Sequence, residues 1–349
     1  MATSRTTSTL AGFAGAAILA IASLVLIAAA PGTSSANAAG PTPSTGTYGW
    51  PVKPFDQAHP IRANFGDPRT TFHAAPTQAG LMTGHGVFAF HFGVDIAVAD
   101  GTAVYAVRSG TASLLGGRNV QVDSGAGFKT QYWHIIPAVK PGQHVTMQET
   151  VLGHVMKGYE HVHFTELDHG RPVNPLAPGH LGPYDEGAAP QLSSVSFRVG
   201  NSAREELAES VSGAIVPVVR SQDAPALHVP GVWADLPVAP ALLTWRVERA
   251  QNGRIAVPRR VAFDVRKTLP ENRKFWTYYA RGSRQNMASF GTQRAWRTPG
   301  TYLYRLVREP FDTRQLRNGI YRLVVTATDI RGNSSSLKQI FIVRNGEET

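Results

Sequence analysis

The stretch Glu160-His161-Val162-His163-Phe164, read with His91-Phe92-Gly93-Val94-Asp95 well upstream, decides how this chain is interpreted. Side chains along an extended strand alternate faces, so two His separated by one residue look the same way. One can bind a metal while the other stays close enough to handle a proton. His91 and Asp95 are separated by an even number, so they too share a face if their segment is a strand. Two imidazoles and a carboxylate converging on one point suit Zn2+, with a fourth position left for water.

Working outward, residues 48–178 read as a succession of short β-like runs punctuated by Gly, Pro, Asn and Asp, with no amphipathic helix. Such spacing predicts an antiparallel all-β domain. A Pro/Gly-rich segment closes it, with a linker over 179–190. Residues 191–349 show further strand-like stretches, including Phe275–Tyr279. They end in the alternating run Asn318–Asn333 followed by a final strand, a pattern resembling an immunoglobulin-like β-sandwich. The expected fold class is therefore all-β: a small antiparallel β domain followed by an immunoglobulin-like β-sandwich.

The chain has 349 residues, is 42% hydrophobic and 17% charged, and can bury a proper core. Cysteine is absent, which excludes disulfides, thiolate catalysis and thiolate zinc sites. Residues 1–38 read as a signal peptide or an uncleaved amino-terminal anchor: Arg5, an apolar run from Leu10 to Ala30, then the small-residue site Ala36-Asn37-Ala38. A linker follows over 39–47. The expected location is secreted or in the cell envelope, with membrane contact only if the leader stays attached. The net charge of +10 is uneven. From residue 190 onward 24 Lys and Arg face 13 Asp and Glu, whereas eleven of the twelve His precede residue 190. The basic half could hold an anionic cell-envelope polymer. No nucleic-acid motif appears.

Across residues 48–178 an ordered set of motifs lines up: Asn64-Phe-Gly-Asp-Pro-Arg69, His91-Phe-Gly-Val-Asp95, Thr130-Gln-Tyr-Trp-His134, His161-Val-His163 and Val173-Asn-Pro175. This set resembles the catalytic domain of the lysostaphin-type (LytM) zinc metalloendopeptidases that cut peptidoglycan. The resemblance implies His91, Asp95 and His163 as zinc ligands, and His161 and His134 as non-ligand catalytic histidines. It implies peptidoglycan stem peptides or cross-bridges as substrate. Two alternatives stay open: a non-catalytic wall-binding or hydrolase-activating envelope protein, and a zinc endopeptidase acting on proteins.

The bland readings attach to the neighbours. Arg69 is expected to pair with a carboxylate, Asn174 to cap a turn, and Trp133 to point away from His134 into the core. His59, His73, His85, His144, His154, His169 and His180 are expected to be structural or solvent-facing. Three features depart from the family pattern. The loop Met156-Lys-Gly-Tyr-Glu160 is short and lacks the usual small residues. Thr165 stands where a carboxylate is usual, with Glu166 one place later. Thr70–Phe90 reads as an insertion, in which His85 could reach the open metal position.

Overall fold

The computed structural model describes residues 48–70, 88–199, 210–288 and 297–346. The leader, the 39–47 linker, His73, His85 and most of the Thr70–Phe90 insertion lie outside the described residues.

The first half contains β1 (Ile61–Ala63), β2 (Pro68–Arg69), β3 (Ala89–Phe90), β4 (Val94–Ala97), β5 (Ala103–Tyr105), β6 (Gly110–Leu115), β7 (Asn119–Asp123), β8 (Phe128–Trp133), β9 (Ile135–Pro137), β10 (His144–Val145), β11 (Val151–Val155), β12 (His161–Asp168) and β13 (Arg171–Val173). The main sheet runs β1-β4-β12-β8-β7-β6-β10, with β13 paired to β12. Strands β5, β11 and β9 form a second sheet. All these pairings are antiparallel, as the turn spacing predicts.

The main sheet has an apolar face and a face that carries the imidazoles. On β8, Phe128, Thr130 and Tyr132 are buried while Lys129, Gln131 and Trp133 are half-buried. Strand β12 is central, and its first six residues are buried. Phe164 lies opposite Val94 and Tyr132 on the apolar face; His163 lies opposite Asp95 and Trp133 on the other. Register thus carries Asp95, His163 and Trp133 to one line across three strands.

His91 and Asp95 do not occupy one strand. β3 ends at Phe90, and the chain reaches β4 through Gly93. A Cβ on Gly93 would lie 2.3 Å from the Phe164 carbonyl oxygen and 2.9 Å from His163 Nε2, so only glycine lets this corner sit against β12. His91 is instead pinned by its backbone, donating to Asp67 C=O and accepting from Gly66 N–H.

The second half contains β14 (Gln191–Val199), β15 (Ser210–Val211), β16 (Ala214–Gln222), β17 (Leu242–Arg249), β18 (Ile255–Asp264), β19 (Met287–Ala288), β20 (Arg297–Thr298), β21 (Leu303–Arg305), β22 (Phe311–Asp312), β23 (Gly319–Thr328) and β24 (Ser334–Val343). One sheet is β14-β16-β21 with β22, the other β15-β24-β23-β17-β18. They pack through Phe197 on Phe341 and Trp245 on Phe311. The expected closing hairpin is β23-β24, in register from Gly319↔Val343 to Thr328↔Ser334.

Phe275–Tyr279 is not a strand. Phe275–Tyr278 form one helical turn, which brings Phe275 and Tyr279 onto one face with their rings 4.9 Å apart. That face packs on Phe90, whose ring lies 5.3 Å from Phe275 and 5.9 Å from Tyr279. The segment 179–190 also packs inward, with Leu181 and Tyr184 buried. One continuous hydrophobic core therefore runs through both halves.

Candidate metal centre

His91 Nδ1 donates to the Asn64 carbonyl oxygen at 2.9 Å. A carbonyl can only accept, so the proton sits on Nδ1 and Nε2 presents its lone pair. That lone pair lies 3.0 Å from Asp95 Oδ1 and 2.8 Å from His163 Nδ1. His163 Nδ1 lies 3.0 Å from the same carboxylate oxygen, and its Nε2 lies 2.9 Å from Thr165 Oγ1. With the His163 proton on Nε2, three acceptor atoms face one another in a buried pocket. Such a set is repulsive by itself and becomes favourable around a cation. The residues present therefore fit a metal ion bound by two neutral imidazoles and one carboxylate.

The electrostatics keep that donor set ready. Burial, followed by the Arg69 guanidinium, pushes the His91 imidazole down to about 3, so it is neutral. Burial opposes charge on Asp95, yet His91, His161 and the closely placed His163 ring hold its carboxyl well below the usual range. Arg69 Nη2 donates to Asp95 Oδ2 at 3.1 Å, the carboxylate pairing expected of it. Thr165 takes the orienting position beside His163, because Glu166 points into the core, where Tyr48 OH and His180 bind it.

His161 shares the His163 face, as strand alternation requires. Its Nδ1 donates to Tyr159 C=O at 2.7 Å, leaving the Nε2 lone pair 3.6 Å from Asp95 Oδ1. Burial, then Arg62, pushes this imidazole well down. The His134 ring centroid is 4.8 Å from that of His161 and 6.2 Å from that of His163. Burial, then His163, pushes His134 down to about 3.

Trp133 corrects the sequence reading. It is half-buried, and its ring meets His163 at 6.3 Å and Phe92 at 5.7 Å, on the His163 face of the sheet. Strict alternation would send Trp133 and His134 to opposite faces. His134 breaks the alternation with a left-handed backbone (φ 65°), held by Asn119 Oδ1 accepting its N–H. This conformation costs a non-glycine residue about 1–2 kcal/mol, and it places both rings beside the metal ligands. Asn174 caps its turn as expected, its Oδ1 accepting from Leu176 N–H.

Sequence reasoning missed Arg62. This residue is buried, 3.4 Å from His161 Nε2 and 3.9 Å from Asp95 Oδ2, and it donates to Tyr159 C=O. Its guanidinium lies 4.0 Å from the centre of the Trp233 ring, carried by the short turn Gly231–Trp233 of the second half. The available signal was a charged residue between Ile61 and Ala63 in an otherwise apolar strand. Tyr159, in the short loop before His161, stacks on His134 at 4.5 Å. Asp100 fastens that loop by accepting from the N–H groups of Gly158 and Glu160.

Residues 89–175 match the family described as Peptidase family M23. The chain carries a peptidase family M23 domain. That match, confined to residues 89–175, supports a metallopeptidase. Among solved structures, the chain is similar to the SpoIIQ–SpoIIIAH pore forming complex (24% identity, 38% of this chain and 90% of that one, TM-score 0.29). It is similar to a zinc containing peptidase from Vibrio cholerae (25% identity, 37% and 39%, TM-score 0.28). It is also similar to the catalytic domain of the antimicrobial peptidase lysostaphin from Staphylococcus simulans (21% identity, 32% and 86%, TM-score 0.24). No curated protein matches. The M23 match spans His91, Asp95, His134, His161 and His163, and stops short of the basic half.

Proposed function

We propose that this protein is an exported zinc metalloendopeptidase that hydrolyses peptide bonds in peptidoglycan stem peptides or cross-bridges. The observation that carries the reading is the convergence of His91 Nε2, Asp95 Oδ1 and His163 Nδ1, three acceptors within 3.0 Å of one another. The ordered motifs shared with lysostaphin-type enzymes support the substrate, and the apolar leader supports export.

His91, Asp95 and His163 would hold the ion, with Asn64 and Thr165 fixing the two ring orientations. The ion, when bound, would supply a Lewis acid for the scissile carbonyl and lower the pKa of water. His161, with its Nε2 lone pair toward the centre and Nδ1 tied to Tyr159, accepts the proton from the attacking water. His134, whose ring lies 4.8 Å from that of His161, would serve the developing oxyanion and the leaving amine. A positioned acid–base group of this kind is worth about 10²–10⁴-fold. Arg62 and Arg69 lie 3.9 and 3.1 Å from Asp95 Oδ2, so the carboxylate is flanked by two guanidinium groups. Trp133, Phe92 and Tyr159 line the groove as flat apolar surfaces for the peptide.

The test combines zinc analysis of the mature protein with digestion of purified cell walls, comparing wild type and His161→Ala. One zinc per chain and release of new amino groups by wild type alone are expected. A zinc-free protein with no digestion would leave the fold a non-catalytic wall-binding role. A zinc protein that cuts protein substrates and spares walls would move the activity to proteins.

A further inference from the structure

We infer that Glu186, Asp223 and Asp329 form a second cation site, suited to calcium, between the catalytic half and the sandwich. The three come from distant segments: the stretch entering the sandwich, the residue after β16 and the residue after β23. Each offers a buried carboxylate oxygen within 4.8 Å of the other two. Asp223 is 3% exposed and Asp329 1%.

The deciding observation concerns single atoms. Glu186 Oε1 and Asp223 Oδ2 are sealed from solvent and have no hydrogen-bond partner. Among the described residues they are the only carboxylate oxygens in that condition, and both belong to this cluster. Buried carboxylates elsewhere in the molecule are satisfied, as Asp95 and Glu166 show. An ionised oxygen stripped of water and left unpaired is costly, so two facing one locus mark a place for a positive ion. The nearby cation does not fill it: Arg331 Nε donates to the Tyr184 carbonyl at 2.7 Å, and its guanidinium lies 5.3 Å from the Tyr184 ring centre. Burial, then the neighbouring carboxylates, raises Glu186 to about 8; burial, with Asp329 adding to it, raises Asp223 to about 7.

The donors are all oxygen, which selects a hard cation. Calcium takes six to eight oxygens in irregular geometry, and carboxylates from three separate segments supply that more readily than the strict octahedron of magnesium. The remaining contacts hold the cage. Asp223 Oδ1 accepts Ala224 N–H, Asp329 accepts from Arg331 and Asn333 N–H, and Asn333 Nδ2 donates to Glu186 C=O.

The site also connects to the metal centre. Asp223 pairs with Val238 through two backbone hydrogen bonds. The next residue, Ala239, accepts from Asn64 Nδ2, and the Asn64 carbonyl orients His91. Calcium would brace the strand pairing on which that orientation rests.

The experiment is a calcium titration of the zinc-loaded full chain at constant ionic strength, read by calorimetry and by thermal unfolding, with magnesium as the parallel arm. Calcium at about a hundredfold over its Kd is expected to raise Tm by about 5 °C, with magnesium giving less. Asp223→Asn keeps the bond to Ala224, and Glu186→Gln keeps its shape; both are expected to lose the calcium response. Without calcium both should be at least as stable as wild type, since the repulsion is relieved, which separates ligand loss from misfolding. His91→Ala should keep the calcium response whether or not the peptidase reading holds. Absence of calcium binding by wild type would show that protons fill the cluster and would overturn the inference. A full response in either carboxylate variant, or an equal response to magnesium, would overturn it as well.

Discussion

Replacing Thr165 by Val removes one hydroxyl from a fully buried position beside His163. The shapes match closely, so packing is nearly conserved, but the group 2.9 Å from His163 Nε2 is lost. A buried N–H left without an acceptor costs about 1–3 kcal/mol. Without metal the imidazole can avoid that cost by moving its proton to Nδ1, where Asp95 Oδ1 waits at 3.0 Å. Bound metal forbids this tautomer because Nδ1 must offer its lone pair. The penalty therefore falls on metal affinity rather than on folding of the apo protein. Loss of a group that orients a ligand typically weakens metal binding about 10–100-fold, or about 1.4–2.7 kcal/mol. Competition against a chromophoric zinc chelator measures this directly, with apo-protein melting as the control. Thr165→Ser restores the hydroxyl and should bind zinc within about threefold of wild type, a shift under about 0.7 kcal/mol. Zinc affinity in Thr165→Val within twofold of wild type, or an equal loss in the Ser variant, would refute the role given to Thr165.

Arg62→Met removes the guanidinium beside His161 and Asp95; kcat should fall by about 10–100-fold at saturating zinc, with an unchanged zinc content measured by metal analysis. Trp133→Ala would take away a surface proposed to hold substrate equally before and during reaction, so steady-state kinetics should show a raised KM and nearly constant kcat. Gly93→Ala forces a Cβ to 2.3 Å from the Phe164 carbonyl oxygen, and melting followed by circular dichroism should show about 1–3 kcal/mol or more of lost stability. At Asp100 burial pushes the carboxyl up, but the N–H groups of Gly158, Glu160 and Tyr159 outweigh it and hold the carboxyl below its ordinary value. A depressed carboxylate contributes stability above its unfolded pKa and loses it as pH falls through the folded one. Hydrogen-exchange protection at Gly158 and Glu160 should therefore decline on acidification below about pH 4, and Asp100→Asn should show the lower protection already at neutral pH.

The ligand geometry was legible because strand alternation is a local rule. His161 and His163 had to share a face, and cross-strand register then delivered Asp95. Alternation failed where the backbone left the extended region. His134 takes a left-handed conformation, so Trp133 and His134 both lie beside His163 instead of on opposite faces. Likewise His91 and Asp95 meet across a glycine corner rather than along a strand, a route that counting residues could not reveal. Arg62, Trp233 and the turn at Phe275–Tyr278 were hidden for another reason. Their environments are made by contacts between segments far apart in the chain, and the aromatic run at 275–279 suits a strand as well as a helical turn.

Phe90 stands next to the ligand His91, and its ring is enclosed by Phe263, Phe275, Tyr278 and Tyr279. The first half is thus not a portable cassette that could be moved onto a different second half. A chimera that retained 48–190 and exchanged the rest would strip the aromatic seat from Phe90, the residue next to His91. Swapping surfaces to redirect this enzyme would have to respect that seam, keeping 263–279 with the catalytic portion and grafting only beyond it. For the same reason, inherited changes at Phe90 and at the four rings around it are bound to a common fate, since a size change on one side must be answered on the other.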